Sequence, residues 1–195
     1  NTVYGLVQKQ YHYIPGLYKL FDEAFVYCRD HAIRIKQAMA SCKSNTLPLS
    51  YIDVSIGDDG TMSFTNDGNG IDIEKHPTYD IWIPEMIFAH LRTGTNYNKE
   101  EKKIVGGKNG FGAKLIFIWS TEGELETVDH VRGLKFTQKY SKNLDVIEPP
   151  VIKKFRGKPY TRISFKPDYT RLGKTGLSPD ELALFKKRVY DIAAV

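Results

Sequence analysis

The chain has 195 residues, of which 41% are hydrophobic, and a formal net charge of +5. This length and composition fit one soluble domain with a sizeable core, or two small ones, and exclude a low-complexity chain. No apolar run is long enough to predict a membrane span, so no membrane partner is expected. The positive charge permits an anionic partner but does not identify one. Cys28 and Cys42 lack metal-ligand spacing and suit a reducing compartment.

The first periodic signal in the chain predicts one long helix over residues 15–39. Apolar residues recur at helical spacing from Leu17 to Ile35, and they form a stripe along one face. Pro15 stands at the start, where the first turn of a helix tolerates proline. The sequence therefore predicts an amphipathic helix that packs against a core.

The elements that follow are mostly short strands and helices. Asp58-Asp59-Gly60 is a hairpin turn signal, and Gly133 separates a second strand pair. The segment 66–70 is interpreted as a turn too polar for a core strand, and 94–107 as a long polar loop. Ser178 to Glu181 has the pattern of a capping box, with proline at the first helical position. The predicted strands are 51–56, 61–65, 124–130, 134–140 and 160–165, and the later helices are 84–92, one ending near 120, and one ending at 194. This order predicts an α+β fold, with helices stacked on a largely antiparallel sheet.

The segment from Gly106 to Lys114 is the most informative part of the sequence. It holds four glycines and two lysines and leads into an apolar run. Glycine lets backbone N–H groups approach an anion, and a helix that starts at or just after Gly112 would add its N-terminal dipole. No Ser or Thr follows the Gly-Lys pair, so the segment is not a P-loop, and its spacing is not the dinucleotide fingerprint. The loop alone favours phosphate binding only slightly over a plain tight turn.

Two further patterns suit the chemistry of a nucleotide site. Glu23, Tyr27 and Asp30 fall at i, i+4 and i+7 and share one face of the long helix. A carboxylate there could polarise a water for attack on a phosphoryl group, although solvated surface acids are the usual interpretation of two acids on an isolated helix. Asn66 opens a segment with two glycines, where a short acceptor could bind an exocyclic amine such as that of adenine. A simple Asp-Gly turn is the alternative.

Taken in this order, the segments resemble the N-terminal ATPase domain of eukaryotic-type and large-DNA-virus type IIA DNA topoisomerases. That domain has the Bergerat, or GHKL, fold, a two-layer sandwich with helices packed on one face of a mixed, largely antiparallel sheet. Gyrase B, a class of heat-shock chaperones, histidine kinases and MutL share it. The resemblance covers nearly all of residues 1–195, which we expect to form one such domain. It rests on segments 15–23, 66–71, 93–97, 106–114, 160–165 and 188–193.

The resemblance implies a role for each matching residue. Glu23 matches the general base that orients the attacking water, and Asp30 lies where the same helix lines the nucleotide pocket. Asn66 matches the residue that binds adenine N6, and Thr161 matches a threonine that supports this contact through water. The other implied nucleotide-binding residues near Asn66 are Gly68, Gly70 and Ile71.

The resemblance also assigns two loops to the nucleotide. Gly94, Thr95 and Asn96 match the segment that holds the ribose and phosphates. Lys114 is the expected direct charge partner of the triphosphate. The lid that wraps the triphosphate is matched by Gly107, Lys108, Asn109, Gly110, Phe111, Gly112, Ala113 and Lys114.

The implied function is an ATPase module with ATP and Mg²⁺ as cofactors. In the family, ATP binding closes two such domains into a homodimer, a gate around a transported DNA duplex, while DNA is cleaved elsewhere in the protein. The localisation would be nuclear in a eukaryote, and host cytoplasm or virion in a large DNA virus. We expect the transducer domain, the cleavage core and a full N-terminal strap to be absent from this chain, which alone should be mostly monomeric.

The chain departs from the family pattern at the metal. The family carries Asn four residues after the catalytic Glu, as its principal protein ligand for Mg²⁺, and here that position is Tyr27. Mg²⁺ prefers compact oxygen ligands, so a phenol on a bulky ring is a poor replacement. Phe117 replaces another Asn of the family, and Phe25 adds bulk, which suggests coordinated repacking; Phe117 in a simple core position is the alternative.

These departures leave three functions open. Hydrolysis is expected to be weakened or lost in an otherwise typical ATPase module. Alternatively, the chain is a catalytically degenerate or altered nucleotide- or ligand-binding module of the same fold. A DNA-contacting module is a third candidate, ranked low because the lysines look dispersed and no recognition-helix motif is present.

Overall fold

The computed structural model describes residues 10–42, 44–90 and 112–193. These ranges contain four α-helices and seven β-strands, in an order that confirms the predicted α+β class. The helices are α1 (Pro15–Ala40), α2 (Ile83–Ala89), α3 (Gly112–Ile118) and α4 (Pro179–Ala193). The strands are β1 (Ile52–Ile56), β2 (Met62–Asp67), β3 (Ser120–Asp129), β4 (Leu134–Ser141), β5 (Val146–Ile147), β6 (Val151–Lys154) and β7 (Tyr160–Pro167). Within the described ranges, no helix has the length and apolar character needed to cross a bilayer.

The strands form one sheet in the order β1-β2-β7-β3-β4-β5, with β6 also paired to β4. Every strand pair in the described ranges is antiparallel. The register places Asn66 opposite Thr161 and Thr161 opposite Thr127. Because directly opposed residues point to the same face, these three polar side chains form one row across the central strands.

Helix α1 confirms the predicted amphipathic helix and packs its apolar stripe on the sheet. Phe21 is fully buried, lies edge-to-face with Phe64 of β2 (5.2 Å between ring centroids) and stacks on Phe185 of α4 at 4.3 Å. Burying an aromatic side chain of this size contributes about 1.5–3 kcal/mol. The α1 and α4 layer is therefore tied to the sheet face that carries Phe64.

Two parts of the sheet differ from the sequence prediction. Strand β2 continues through Asp67, so Asn66 is a fully buried strand residue rather than the first residue of a turn. Pairing with β7 explains this, because it satisfies the backbone of residue 66 from across the sheet. Strands β5 and β6 were not predicted. They are short, and their order comes from pairing with β4 rather than from a local pattern.

The predicted capping box is confirmed at the start of α4. The Ser178 hydroxyl accepts from the Glu181 N–H at 3.2 Å, and the Glu181 carboxylate accepts from the Ser178 N–H at 3.0 Å. Burial disfavours the Glu181 charge, but hydrogen bonds from Lys174 and Ser178 outweigh it and lower the pKa of the carboxyl. The buried carboxylate is thus held ionised at the helix N-terminus, where the helix dipole also favours it.

We expect Ser178→Ala to lower the free energy of unfolding by about 1 kcal/mol, because the Glu181 N–H loses its acceptor. Thr175→Ala is the matched control, since Thr175 is exposed in the preceding loop and makes no side-chain hydrogen bond in the described ranges. Urea denaturation followed by circular dichroism measures both. Equal effects of the two changes would contradict a capping role.

Candidate functional site

The face of α1 that carries the predicted catalytic acids is turned inward. The Glu23 side chain is only 18% exposed and its Oε1 lies 2.5 Å from Lys19 Nζ. Asp30 is buried at 4% exposure. The interpretation of these acids as solvated surface residues is therefore wrong. One buried and one half-buried carboxylate on the same helix face indicate a candidate site rather than a solvent-exposed surface.

The first residues of α3 lie directly against Glu23. A Cβ atom at position 112 would lie 1.9 Å from Glu23 Oε2, so any other residue there would displace the Glu23 carboxylate. Helix α3 begins at Gly112, which confirms the predicted start. The end of the glycine-rich segment and the predicted general base are thus brought together, although they are far apart in sequence. The predicted residues Gly94, Thr95, Asn96, Gly107, Lys108, Asn109, Gly110 and Phe111 lie outside the described ranges.

Lys114 occupies the first turn of α3 and is only 1% exposed. Its burial lowers the pKa of the ammonium group to about 8. Because that value lies above neutral pH, most of the side chain still carries its positive charge at pH 7. The predicted charge partner of the phosphates is therefore an interior cation beside the helix start, not a surface lysine.

Asn66, the predicted adenine-binding residue, lies in the row of polar residues across the central strands. Asn66 is fully buried, and its Nδ2 donates to the Asp67 carbonyl at 2.9 Å. Its Oδ1 is buried and accepts no hydrogen bond from the described residues. A buried acceptor that lacks a donor is uncommon in folded proteins and calls for an explanation.

Thr127 is a site residue that the sequence did not reveal. It is fully buried, its hydroxyl accepts from the Ile71 N–H at 2.9 Å, and it shares a 2.9 Å hydrogen bond with the Thr161 hydroxyl. It therefore holds the chain after β2 against β7. Its position on a predicted strand was the only available signal, because its partner lies 56 residues away.

The glycines after Asn66 are explained by chain packing. Gly68 has φ of +84°, and a Cβ there would lie 2.7 Å from Ile35 Cδ1 of α1. A Cβ at Gly70 would lie 1.9 Å from the Val128 carbonyl oxygen. Gly68 is favoured by its backbone conformation and Gly70 by the close approach of the Val128 backbone, so neither glycine needs a ligand to explain it.

His31 is a second residue missed by the sequence analysis. Its Nε2 lies 2.6 Å from the Asn69 carbonyl oxygen, and because a carbonyl only accepts, Nε2 carries the proton. Burial lowers the pKa of His31 despite this hydrogen bond. The neutral ring therefore links α1 to the turn after β2. Glu23 and His31 are separated by about 12 Å along the helix, at 1.5 Å per residue.

The aromatic replacements pack together. The ring centroids of Tyr27 and Phe88 of α2 are 4.9 Å apart, and those of Phe88 and Phe117 are 5.9 Å apart. Phe117 is 1% exposed and contacts Tyr140 at 4.4 Å, so the core position considered for it is confirmed. Tyr27 and Phe117 both contact Phe88, as coordinated repacking requires. Phe25 is also in the core.

Tyr27 does not fit the magnesium that the family implies. Burial raises the pKa of its phenol to about 12, so the oxygen is neutral at physiological pH. The Arg34 guanidinium carbon lies 5.9 Å from the ring centroid, which places another cation beside it. No cluster of three or more His, Cys, Asp or Glu among the described residues could hold a metal ion. The residues present at this position lack the anionic or amide oxygen that Mg²⁺ prefers.

This chain is similar to DNA topoisomerases 2 from a virus and from yeast. DNA topoisomerase 2 of Acanthamoeba polyphaga mimivirus is 45% identical over 188 residues, and DNA topoisomerase 2 of Saccharomyces cerevisiae is 43% identical over 189 residues. Each alignment covers 96% of this chain but only 14% and 12% of the respective relative, so the chain spans about an eighth of their length. No protein-family model matches.

Solved structures of ATPase domains also superimpose on this chain. The crystal structure of the ATPase region of Saccharomyces cerevisiae topoisomerase II superimposes with a TM-score of 0.87 at 43% identity, covering 95% of this chain and 47% of that one. The 43K ATPase domain of Thermus thermophilus gyrase B superimposes with a TM-score of 0.61 at 22% identity, covering 88% and 39%. The second similarity concerns the fold alone. Together they confirm the predicted GHKL sandwich.

We expect Thr127→Val to lower the free energy of unfolding by about 1–3 kcal/mol, because the buried Ile71 N–H loses its acceptor at constant side-chain volume. Thr65→Val is the control, since Thr65 lies on β2 and its hydroxyl makes no hydrogen bond in the described ranges. Chemical denaturation of both variants measures the difference. A loss no greater than that of the control would show that Thr127 does not hold this segment.

Proposed function

Since the chain belongs to the family of N-terminal ATPase regions of type IIA DNA topoisomerases, we propose that it is an ATP-binding module of such an enzyme. In a longer protein it would drive closure of a homodimeric gate around duplex DNA for ATP-dependent strand passage. The observation that carries the ATP assignment is the buried, unpartnered Oδ1 of Asn66, at one end of a site whose other end holds Glu23.

The Asn66 acceptor favours adenine over guanine. The exocyclic amine of adenine can donate to Oδ1. Guanine has a carbonyl oxygen at the same ring position, which would place two acceptors against each other. Leaving a buried acceptor without a donor costs about 1–3 kcal/mol, which an adenine amine would recover on binding. Thr161 and Thr127 border Asn66 in the same row and supply hydroxyl groups that can support the base.

The opposite end of α1 suits the triphosphate. Glu23 Oε2 lies against the start of α3, where the lid segment ends, and Lys114 adds a buried positive charge in the same turn. A carboxylate at that place can accept a proton from a water that attacks the terminal phosphate. The roughly 12 Å between Glu23 and His31 along α1 allows one nucleotide to contact both ends.

We expect the chain to bind a non-hydrolysable ATP analogue more tightly than the matching GTP analogue in calorimetric titrations. Asn66→Ala should weaken binding of the ATP analogue by about tenfold or more, since one hydrogen bond to a buried acceptor is lost. It should change binding of the GTP analogue by much less, which makes GTP the internal control for folding of the variant. Equal losses for both nucleotides would contradict base recognition by Asn66.

The altered metal position supports a second candidate, a module that binds nucleotide but hydrolyses it poorly. Tyr27 packs on Phe88 as a neutral phenol and offers no suitable ligand to Mg²⁺. In this candidate the adenine end is intact and the phosphate end has changed. We propose that hydrolysis is weakened by this change, while nucleotide binding persists.

We expect the affinity of the chain for the ATP analogue to be nearly the same with and without Mg²⁺. Tyr27→Asn should introduce a magnesium dependence and, in the longer protein, raise steady-state turnover by about tenfold or more. Tyr27→Phe is the control, because it keeps the ring against Phe88 and removes only the hydroxyl; it should behave like the parent. Equal turnover of the parent and Tyr27→Asn would rule out a metal defect at this position.

A further inference from the structure

The positive charge of the chain is concentrated in one segment of the structure. Residues 149–167 contain six Lys or Arg and no Asp or Glu, so their formal charge of +6 exceeds the +5 of the whole chain. Two of the six are engaged with carboxylates: Arg162 lies 2.9 Å from Glu126, and Lys166 lies 3.6 Å from Asp59. The other four form what we name the β6 basic edge, namely Lys153, Lys154, Arg156 and Lys158.

The β6 basic edge differs from most cationic positions of the fold. All four side chains belong to exposed residues, and none lies within ion-pair distance of a carboxylate in the described ranges. By contrast, nearby Arg132 and Lys135 are neutralised by Asp129 at 2.9 Å and by Glu126 at 2.8 Å. The lysines look dispersed along the sequence, but the fold collects four uncompensated cations at one edge of the sheet.

This edge is held in a defined shape. Lys153 lies opposite Lys135 in the β4 ladder, and the Phe155 N–H donates to the Gly133 carbonyl at 2.9 Å. A Cβ at Gly157 would lie 2.4 Å from the Phe155 ring, so the chain turns tightly around that ring. The two cations that flank Gly157 are therefore presented to solvent from a fixed turn. A fixed backbone lowers the entropy lost when the edge binds a partner.

The arrangement fits the phosphate backbone of a nucleic acid. Lys153 and Lys154 lie on β6, and Arg156 and Lys158 flank the turn at Gly157, so the four cations are spread along the edge rather than gathered in a compact pocket. Such a set of cations without carboxylates binds a polyanion through counterion release, independently of base sequence. A membrane surface fits less well. The aromatic residue of this edge is Phe155. Lys135 Nζ lies 5.6 Å from the centroid of its ring, so the ring packs on the protein and is not free to insert into a lipid bilayer.

We propose that the β6 basic edge is a sequence-independent contact site for the phosphate backbone of duplex DNA. The site is distinct from the nucleotide site, because β6 lies four strands away from β2, about 19 Å across the sheet. The proposal does not depend on the ATP assignment. It adds a DNA contact on the ATPase module itself.

The test is fluorescence anisotropy of a labelled duplex of about 20 base pairs, titrated with the full 195-residue chain over a salt series. We compare Arg156→Gln/Lys158→Gln with Lys142→Gln/Lys186→Gln. Both pairs remove two positive charges from exposed residues that form no ion pair in the described ranges. Arg156→Gln/Lys158→Gln should weaken DNA binding by about tenfold at moderate salt. It should also reduce the slope of log affinity against log salt concentration by roughly 1.8, the value for two phosphate contacts. Lys142→Gln/Lys186→Gln should change affinity by less than about twofold.

Three results would overturn the proposal. Equal losses in the two double variants would show that only net charge matters. Unchanged binding in Arg156→Gln/Lys158→Gln, with its thermal unfolding intact, would show that DNA lies elsewhere or does not bind. Tighter binding to phosphatidylserine vesicles than to the duplex would identify a membrane surface instead. Arg156→Gln/Lys158→Gln should bind the ATP analogue with the affinity of the parent. This titration separates a loss of DNA binding from a failure of the nucleotide site.

Discussion

The site depends on how closely helix α1 approaches its neighbours at two points. Near its middle, the Glu23 carboxylate occupies the space that a side chain at position 112 would need, and further along, Ile35 does the same at position 68. At position 112 a Cβ atom would displace the Glu23 carboxylate, and position 68 favours glycine because its φ is +84°. The contact at 112 places Glu23, the proposed general base, against the start of α3, and the contact at 68 joins α1 to the segment that follows Asn66.

These contacts change the meaning of the glycine patterns. Glycine in the lid segment and after Asn66 suggested close approach of a ligand, yet the described glycines at 68, 70 and 112 are accounted for by backbone conformation and by contacts within the protein itself. The ligand-specific signal lies instead in the polar atoms that packing leaves over, above all Oδ1 of Asn66.

Local patterns predicted the fold well, and non-local contacts account for what was missed. Helix α1 and the capping box at Ser178 followed from periodicity and short-range hydrogen bonds. The burial of Asn66 did not, because it depends on pairing with β7 almost a hundred residues later. Thr127 was missed for the same reason, since a threonine on a strand has no distinguishing local pattern. Tyr27 was recognised from its position in the family pattern, but only the fold shows its ring against Phe88.

The aromatic cluster around Tyr27 and the polar row around Asn66 are two separate groups of side chains. The Tyr27, Phe88 and Phe117 rings continue to Tyr140, whose hydroxyl donates to Gln138 at 2.7 Å, and Gln138 in turn donates to Glu85 on α2 at 2.7 Å. Tyr27, at the position of the family's magnesium ligand, is thus part of a packed layer that reaches the sheet and is not an isolated surface substitution. Asn66 and its threonine neighbours lie outside this layer, on β2, β7 and β3. The proposed recognition of the base can therefore persist while the proposed phosphate end changes, because the two groups share no side chain among the described residues.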